Sequence, residues 1–174
     1  MRPSLRARFA ALLLPLVLAA CATVSAPDLG LARLDGRLAL RIDSQPPQSM
    51  SAAFELLGDG ERGRLVLTNP LGLQIAQAHW SPGAPARLIT SEGERHFGDL
   101  DSLAEGALGE RVPLAALPDW LRGRPWPKAP SQAAASGFEQ LGWSIDLGRQ
   151  AEGRVALRRV AAPAVDLRVQ LDPR

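Results

Sequence analysis

Apolar and polar side chains alternate along much of the chain with the period of two that is typical of a strand with one wet face. In the clearest case, Leu38, Leu40 and Ile42 alternate with polar or small residues. The same pattern predicts further strands at 51–57, 64–69, 73–80, 87–90, 95–97, 138–147, 154–160 and 165–171. Because most of the connections between neighbouring strands are short and rich in turn residues, we predict an antiparallel meander.

Between the two groups of strands the apolar period becomes that of a helix. The positions i, i+3, i+4, i+7 and i+8 are apolar, with Asp99 as the N-cap and Gly109 beyond the end; they are Leu100, Leu103, Ala104, Ala107 and Leu108. A first helical turn at 113–118 and a short helix at 119–123 follow, and 124–136 is predicted to cross the surface. We therefore predict a mainly β (α+β) fold, a half-open or closed antiparallel sheet with helices on one face.

The first 20 residues have the layout of a bacterial secretory signal. Three arginines precede the apolar run Phe9–Ala20, whose 12 residues fall short of the about 20 that span a bilayer as a helix. The run ends at Leu18-Ala19-Ala20-Cys21, which resembles the lipobox of lipoprotein precursors. Cys21 is the only cysteine, and we predict that its thiol receives a diacylglyceryl group. The same resemblance implies acylation of the new amino terminus, giving three acyl chains.

These features divide the chain into three predicted parts. Residues 1–20 are the signal peptide that is removed, 21–33 are the lipidated cysteine and a flexible tether, and 34–174 are the folded domain. Ala22 follows the cysteine. In lipoproteins of enteric-type bacteria an Asp at that position favours retention in the inner membrane. We therefore expect the protein to be lipid-anchored on the periplasmic side of the outer membrane of a Gram-negative bacterium.

Composition and charge exclude several other classes of function. The leader holds three arginines and no acid, so the rest of the chain carries 17 basic against 18 acidic side chains, and nothing indicates affinity for nucleic acid. Two histidines and one cysteine cannot build a four-ligand zinc site. We predict no metal and no cofactor. The G-x-G-x-x-G stretch at 58–63 leads into a predicted strand instead of a helix, which favours a hairpin turn over a dinucleotide site.

The segment Asn69-Pro70-Leu71-Gly72 is the most informative turn. Asn, Pro and Gly at the first, second and fourth positions favour a type I turn, which places Leu71 at the tip of a hairpin. Such a leucine either folds back over the sheet or points at water. On a protein tethered next to a bilayer it could insert, with a gain of about 2–3 kcal/mol at about 25 cal/mol per Å², which suits transient engagement.

Several segments together resemble the LolB family of outer-membrane lipoprotein receptors. Beside the lipobox, the resemblance rests on segments in the same order along the chain: Leu65-Val66-Leu67-Thr68-Asn69-Pro70-Leu71-Gly72, Leu108-Gly109, Val112-Pro113-Leu114, Leu117-Pro118-Asp119-Trp120-Leu121-Arg122-Gly123-Arg124-Pro125 and Gly142-Trp143. The chain departs from the family at Ala53-Phe54-Glu55-Leu56, where only one aromatic residue remains, and it lacks the terminal tryptophan.

The resemblance implies a half-closed antiparallel β-barrel of about eleven strands with a short helical lid over a hydrophobic cavity. It further implies a non-enzymatic receptor that accepts lipoproteins from the periplasmic carrier LolA and inserts them into the inner leaflet of the outer membrane. The partners would be that carrier and lipoprotein acyl chains, the protein itself a monomer, and Pro70, Leu71 and Gly72 the membrane-insertion loop. By strand parity and lid position, the candidate cavity residues are Leu38, Leu40, Phe54, Leu56, Leu67, Ile75, Leu103, Trp120, Leu121 and Trp143.

Two alternatives stay open on the sequence alone. Aliphatic sheet faces covered by an amphipathic insert form either a cavity or a solid core, so a structural or interaction lipoprotein of similar fold is one alternative. An envelope hydrolase is the other, with Ser144, His79 and His96 as its only visible candidate residues.

Overall fold

The computed structural model describes residues 31–173, which fold into one antiparallel sheet and a helical insert. The strands are β1 (Arg33–Ile42), β2 (Gln48–Gly58), β3 (Gly63–Thr68), β4 (Gln74–Ser81), β5 (Ala84–Thr90), β6 (Gly93–Phe97), β7 (Ser131–Ala134), β8 (Gly137–Gln140), β9 (Trp143–Asp146), β10 (Arg154–Arg159) and β11 (Val165–Leu171). The helices are α1 (Leu100–Leu108), α2 (Leu117–Leu121) and a 3-10 turn at Gln150–Glu152.

The sheet has eleven strands in the order β6-β5-β4-β3-β2-β1-β11-β10-β9-β8-β7. The first and last strands of the folded domain, β1 and β11, pair in the middle, with Leu40 opposite Leu167. The edge strands β6 and β7 do not pair with each other. The sheet is therefore an open half-barrel, which confirms the predicted fold class.

Alternate positions of the central strands face one buried side of the sheet, as the period of two predicts. The buried side chains of β1, β9, β10 and β11 form the main core with α2, and they include Ile42, Ile145, Val155, Leu157 and Val165. The opposite positions, such as Arg37, Arg41 and Arg168, are exposed. The insert between β6 and β7 thus covers one face of the sheet, and the other face is in water.

Helix α1 begins and ends where the sequence predicts. The Asp99 carboxylate accepts a hydrogen bond of 2.7 Å from the Ser102 backbone N–H, and the hydrogen bonds from Ser102 lower the pKa of Asp99. Gly109 closes the helix with φ 71°, a left-handed conformation that glycine adopts at little cost. Helix α2 contains Pro118 in its first turn, where the missing N–H costs nothing.

A buried amide joins α2 and the segment after it to the sheet. Gln140 on β8 is 3% exposed, and its Oε1 accepts hydrogen bonds from the indole N–H of Trp120 and the backbone N–H of Trp126. Its Nε2 donates to the carbonyl oxygens of Trp126 and Ala129. Every polar group of this cluster is satisfied, so the amide fixes the position of the insert.

Two arginines just after α2 attach the insert to the ends of β1 and β2 and to α2 itself. They are Arg122 and Arg124. The Arg122 guanidinium donates to the carbonyl oxygens of Ala32 and Gly58, at the ends of β1 and β2. The Arg124 Nε lies 2.6 Å from the Asp119 carboxylate, whose side chain is only 12% exposed. The charged residues in the segment 117–125 therefore have structural partners within the fold.

The structure differs from the sequence prediction in two hairpins and at α2, which spans Leu117–Leu121 instead of the predicted 119–123. The predicted strand 138–147 is two strands, β8 and β9, joined by a turn at Leu141 and Gly142. The predicted surface connection 124–136 contains the edge strand β7. The sequence Ser-Gln-Ala-Ala of β7 has no apolar alternation, and all four residues are exposed, so the period-two signal is absent there.

The Gln140 cluster generates a stability prediction. We expect Gln140→Leu to lower the free energy of unfolding by about 2–4 kcal/mol, because it leaves the buried donors of Trp120 and Trp126 without acceptors. Urea unfolding followed by tryptophan fluorescence measures this loss. The matched control is Gln132→Leu on the exposed strand β7, which should shift the midpoint little. Equal midpoints for the two variants would show that the cluster does not stabilise the fold.

Candidate hydrophobic cavity

A cavity of about 350 Å³ lies between α1 and the sheet. Its walls are mostly aliphatic side chains from β1 to β5, α1 and the segment after α1. The residues that line it are Leu38, Leu40, Met50, Leu65, Leu67, Ile75, Ala76, Ala78, Leu88, Thr90, Ser91, Glu92, Arg95, Leu103, Ala104, Ala107, Leu108, Val112, Leu114, Leu117 and Leu167. Apolar walls with a few polar groups at one side are typical of a site for an apolar ligand.

Small side chains contribute to the cavity walls in this half of the insert. Ala76 and Ala78 on β4 and Ala104 and Ala107 on α1 all line the cavity. The other half of the insert carries Trp120, whose ring centroid lies 6.1 Å from that of Trp143. Large rings therefore pack together beside α2, whereas alanine methyl groups form part of the cavity wall under α1.

The structure places the ten candidate cavity residues in two groups. Five line the cavity, namely Leu38, Leu40, Leu67, Ile75 and Leu103. The other five are buried in the solid half of the core, namely Phe54, Leu56, Trp120, Leu121 and Trp143. Strand parity identifies which face of the sheet a residue belongs to, but it does not indicate which part of that face lies under α1 and which under α2.

Several lining residues were absent from the sequence prediction. Met50 pairs with Leu40, and Leu65 has the same parity as Leu67, so the alternation of β2 and β3 already contained this signal. Ala104 and Ala107 were predicted only as apolar positions of the helix, and Ala76 and Ala78 carried no signal for a cavity, because a small residue on a buried face is equally common in a tightly packed core. Their importance depends on what lies opposite them.

One end of α1 is attached to β6 by a cation and an aromatic ring. The Arg95 guanidinium donates a hydrogen bond of 2.8 Å to the Gly106 carbonyl oxygen and lies 5.1 Å from the centre of the Phe97 ring. The last turn of α1 has no basic residue of its own, so Arg95 supplies the positive charge that a helix C-terminus favours. A Cβ on Gly106 would collide with the Phe97 ring, which explains a glycine inside the helix.

The segment after α1 is attached to β10 by Arg159. Its guanidinium donates to the Arg111 carbonyl oxygen at 3.0 Å and to the Glu110 carboxylate at 2.8 Å. It also lies 5.8 Å from the centre of the Trp143 ring. Helix α1 and residues 109–112 therefore form a strap across the cavity, with one arginine contact at each of its ends.

The loop 69–73 joins β3 to β4 between Leu67 and Ile75, which both line the cavity. The Gly72 N–H donates to the Asn69 carbonyl oxygen at 2.9 Å, and the Asn69 side chain accepts from the N–H groups of Leu71 and Leu73. This is the predicted four-residue turn, and Gly72 has φ 82°. Leu71 is 84% exposed and points into water. From the tip, Leu71, Leu73 and Ile75 form an apolar path, and Ile75 also lines the cavity.

The three candidate residues for a hydrolase do not form a site. His79 on β4 contacts the Gln77 amide, and His96 on β6 contacts Glu94. Burial, and then Arg87 and Arg64, lower the pKa of His79. Ser144 on β9 lies six strands from β4 in the sheet order, which is roughly 30 Å along the curved sheet at about 4.8 Å per strand. No nucleophile and base are brought together by these residues.

The G-x-G-x-x-G stretch at 58–63 forms the hairpin between β2 and β3, which is the turn that the sequence predicts. The Asp59 carboxylate accepts hydrogen bonds from the N–H groups of Glu61 and Arg62.

Within residues 31–173 no group of three or more His, Cys, Asp and Glu side chains could hold a metal ion. In the same part of the chain neither helix is long enough and apolar enough to cross a membrane. Cys21, the predicted lipidation site, lies outside the described residues.

Comparison with known proteins gives a consistent result. Residues 32–172 match the family described as "Outer membrane lipoprotein LolB". The outer-membrane lipoprotein LolB of Bordetella petrii is 38% identical over 160 residues, covering 82% of this chain and 80% of that protein. That of Bordetella pertussis is 37% identical over 81% of this chain and 77% of its own length. That of Dechloromonas aromatica is 34% identical over 88% and 87%. The open half-barrel, its apolar cavity and these relatives together show that the chain belongs to the LolB family of outer-membrane lipoproteins.

Proposed function

We propose that this protein accepts lipoproteins from a LolA-like periplasmic carrier and inserts them into the inner leaflet of the outer membrane. The observation that carries the proposal is the aliphatic cavity under α1, whose lining residues Leu67 and Ile75 flank the loop that bears the exposed Leu71. Membership of the LolB family supports it. The process transfers an apolar group from one site to another and contains no bond-making step.

The cavity is a binding site for the acyl chains of the cargo. An acyl chain enters because each methylene that leaves water contributes about 0.8 kcal/mol. The walls offer few hydrogen-bonding groups, and those few are Thr90, Ser91, Glu92 and Arg95 at one side. Binding by apolar contact alone is non-directional, so the site holds a chain without fixing it and allows it to leave for the bilayer.

The strap formed by α1 and residues 109–112 moves to admit cargo. At about 350 Å³ the cavity is at the small end of the range for ligand pockets, about 300–1,000 Å³, while a lipoprotein carries several acyl chains. The Arg95 and Arg159 contacts lie at the two ends of the strap. They hold it closed in the empty protein, and their hydrogen bonds to backbone carbonyl groups are exchanged for bonds to water when it opens.

Cys21 carries the lipid anchor, and Leu71, with Pro70 and Gly72, forms the insertion loop. The anchor keeps the domain at the membrane surface, because two or more acyl chains give stable attachment. The exposed Leu71 side chain then enters the bilayer transiently beside the cavity and gives the acyl chain an apolar path from Ile75 to the lipid.

The direct test is a transfer assay with the mature lipidated protein in vesicles. A LolA-like carrier loaded with a labelled lipoprotein is added, and the label is followed from carrier to protein to bilayer by flotation. We expect the label to reach the bilayer only when the protein is present. Cargo that stays on the carrier would contradict the proposal.

Filling the cavity should block acyl binding. Ala76 is half-buried and lines the cavity, so Ala76→Phe places a ring where an acyl chain would lie. We expect the affinity for a fluorescent fatty-acid probe to fall by about tenfold or more, since each lost methylene contact costs about 0.8 kcal/mol. The control is Ala53→Phe, the same change on the exposed face of β2. Equal affinities would contradict acyl binding in this cavity.

A charge at the loop tip should block delivery but leave cargo acceptance intact. We expect Leu71→Glu to slow release into vesicles by about thirtyfold or more, since it removes an apolar contact of about 2–3 kcal/mol. Folding should not change, because Leu71 is exposed and makes no packing contact with the core. The control is Ala84→Glu, an exposed position at the β4–β5 hairpin. Wild-type delivery by Leu71→Glu would remove the insertion role.

Transfer from carrier to membrane should need no nucleotide. The gradient in apolar contact from carrier to cavity to bilayer supplies the driving force. Delivery in the assay above should therefore proceed at the same rate with and without ATP and magnesium. A dependence on ATP in the purified system would contradict the mechanism.

A further inference from the structure

The large apolar side chains that are exposed in residues 31–173 are confined to one end of the sheet. They lie in or beside three hairpins: Leu71, Leu73 and Ile75 at β3–β4, Leu141 at β8–β9 and Val160 at β10–β11. The strand register places these hairpins at the same end of the sheet, together with the β1–β2 and β5–β6 connections. The hairpins at the opposite end, β2–β3, β4–β5 and β7–β8, expose none. Scattered single apolar residues need no explanation, but this arrangement does.

Val160 and Leu141 are at positions where folding does not require an apolar residue. Val160 is 79% exposed and Leu141 is 47% exposed. Leu141 also has φ 54°, a left-handed backbone that favours Gly, Asn or Asp in a two-residue hairpin. A leucine in an exposed, unfavourable conformation indicates a requirement from outside the fold.

Arginines lie on the outer face of the sheet next to Val160. Arg158 and Arg168 share the single carboxylate of Asp166, each at 2.9 Å, and both guanidinium groups are more than 60% exposed. Arg41 pairs with Asp43 at 2.9 Å and is 70% exposed. These residues line one surface groove with Val160. Three cations against two carboxylates leave a positive excess with unused N–H donors, which suits phosphate groups.

We propose that this whole end of the half-barrel is a membrane-docking rim, in which Val160 and Leu141 enter the bilayer surface as Leu71 does and the three arginines bind anionic phospholipid headgroups. The inference rests on the proposed function, because it extends the membrane contact of a single loop to three hairpins. A broad contact sets the orientation of the cavity toward the bilayer, whereas one inserted leucine would let the domain pivot.

The tether is long enough for this orientation. The folded domain begins at the start of β1, at the end of the sheet opposite the rim. Strand β1 has 10 residues, about 33 Å at about 3.3 Å per residue. The 11 residues from Ala22 to Ala32 span at most about 36–40 Å. A lipid on Cys21 can therefore lie in the same bilayer that the rim contacts, with little length to spare.

The test uses the mature lipidated protein in vesicles of phosphatidylethanolamine with a quarter phosphatidylglycerol. Lipidation consumes the thiol of the only native cysteine, so one introduced cysteine carries an environment-sensitive fluorophore. The positions are Val160→Cys and Leu141→Cys at the rim, Leu71→Cys at the loop and Ala84→Cys at the opposite end. We expect the first three labels to shift to shorter wavelength and to be quenched by lipid-attached quenchers, and the Ala84→Cys label to remain in water. Near-UV circular dichroism checks that each variant is folded.

Each pattern of quenching gives a separate answer. If only the Leu71→Cys label is quenched, the insertion loop of the proposed function stands and the rim is overturned. If none is quenched, both fail. Equal quenching of the Ala84→Cys label would show non-specific contact and would also overturn the rim.

A second comparison tests the arginines. We expect the double variant Arg158→Gln, Arg168→Gln to lower rim quenching several-fold in the anionic vesicles, because each arginine near an anionic surface contributes to attraction. The matched control is Arg149→Gln, Arg154→Gln. These two arginines also share one carboxylate, that of Glu152, but at the opposite end of the sheet. Equal effects of the two pairs, or no effect of either, would overturn the role of the rim arginines.

Discussion

The structure depends on how unevenly one helical insert fills the buried face of an open sheet. A curved sheet must cover its apolar face, and this one has a single segment, from Asp99 to Pro130, with which to do so. Under α2 the two tryptophans and the amide of Gln140 pack together. Under α1 a cavity of about 350 Å³ remains, and four alanines are among the residues that line it. One half of the insert therefore stabilises the fold, and the other half leaves room for a ligand.

The two halves of the insert are held in different ways. The α2 half is held by buried aromatic packing and a satisfied polar cluster, which are costly to disrupt. The α1 half packs on the core through Ala104 and Val112, and arginines at its ends donate to backbone carbonyl oxygens and a carboxylate. Water can replace the hydrogen bonds to the carbonyl groups at small net cost. The opening proposed for the strap is therefore opposed mainly by the apolar burial of α1 and Val112.

The sequence predicted the fold class, most strands, both helices and the turn at Leu71, because each depends on local periodicity, capping or turn chemistry. It missed the hairpin at Leu141, since a leucine in a left-handed turn continues the apolar pattern of a strand. The candidate cavity residues likewise include some that line the cavity and some that do not. Strand parity found Leu38 and Leu67, but it also included Trp120, which fills the solid half of the core.

By itself the sequence determined the buried face of most strands, the boundaries of α1, and the resemblance to a lipobox and to the LolB family. These are properties of neighbours along the chain. Only the tertiary structure decided that Ala76 and Ala104 line a cavity, that Arg95 and Arg159 contact the two ends of the strap, and that Leu71, Leu141 and Val160 share one end of the sheet. These facts arise from residues far apart in sequence, whose spacing is set by strand register and by the volume of whatever packs opposite them.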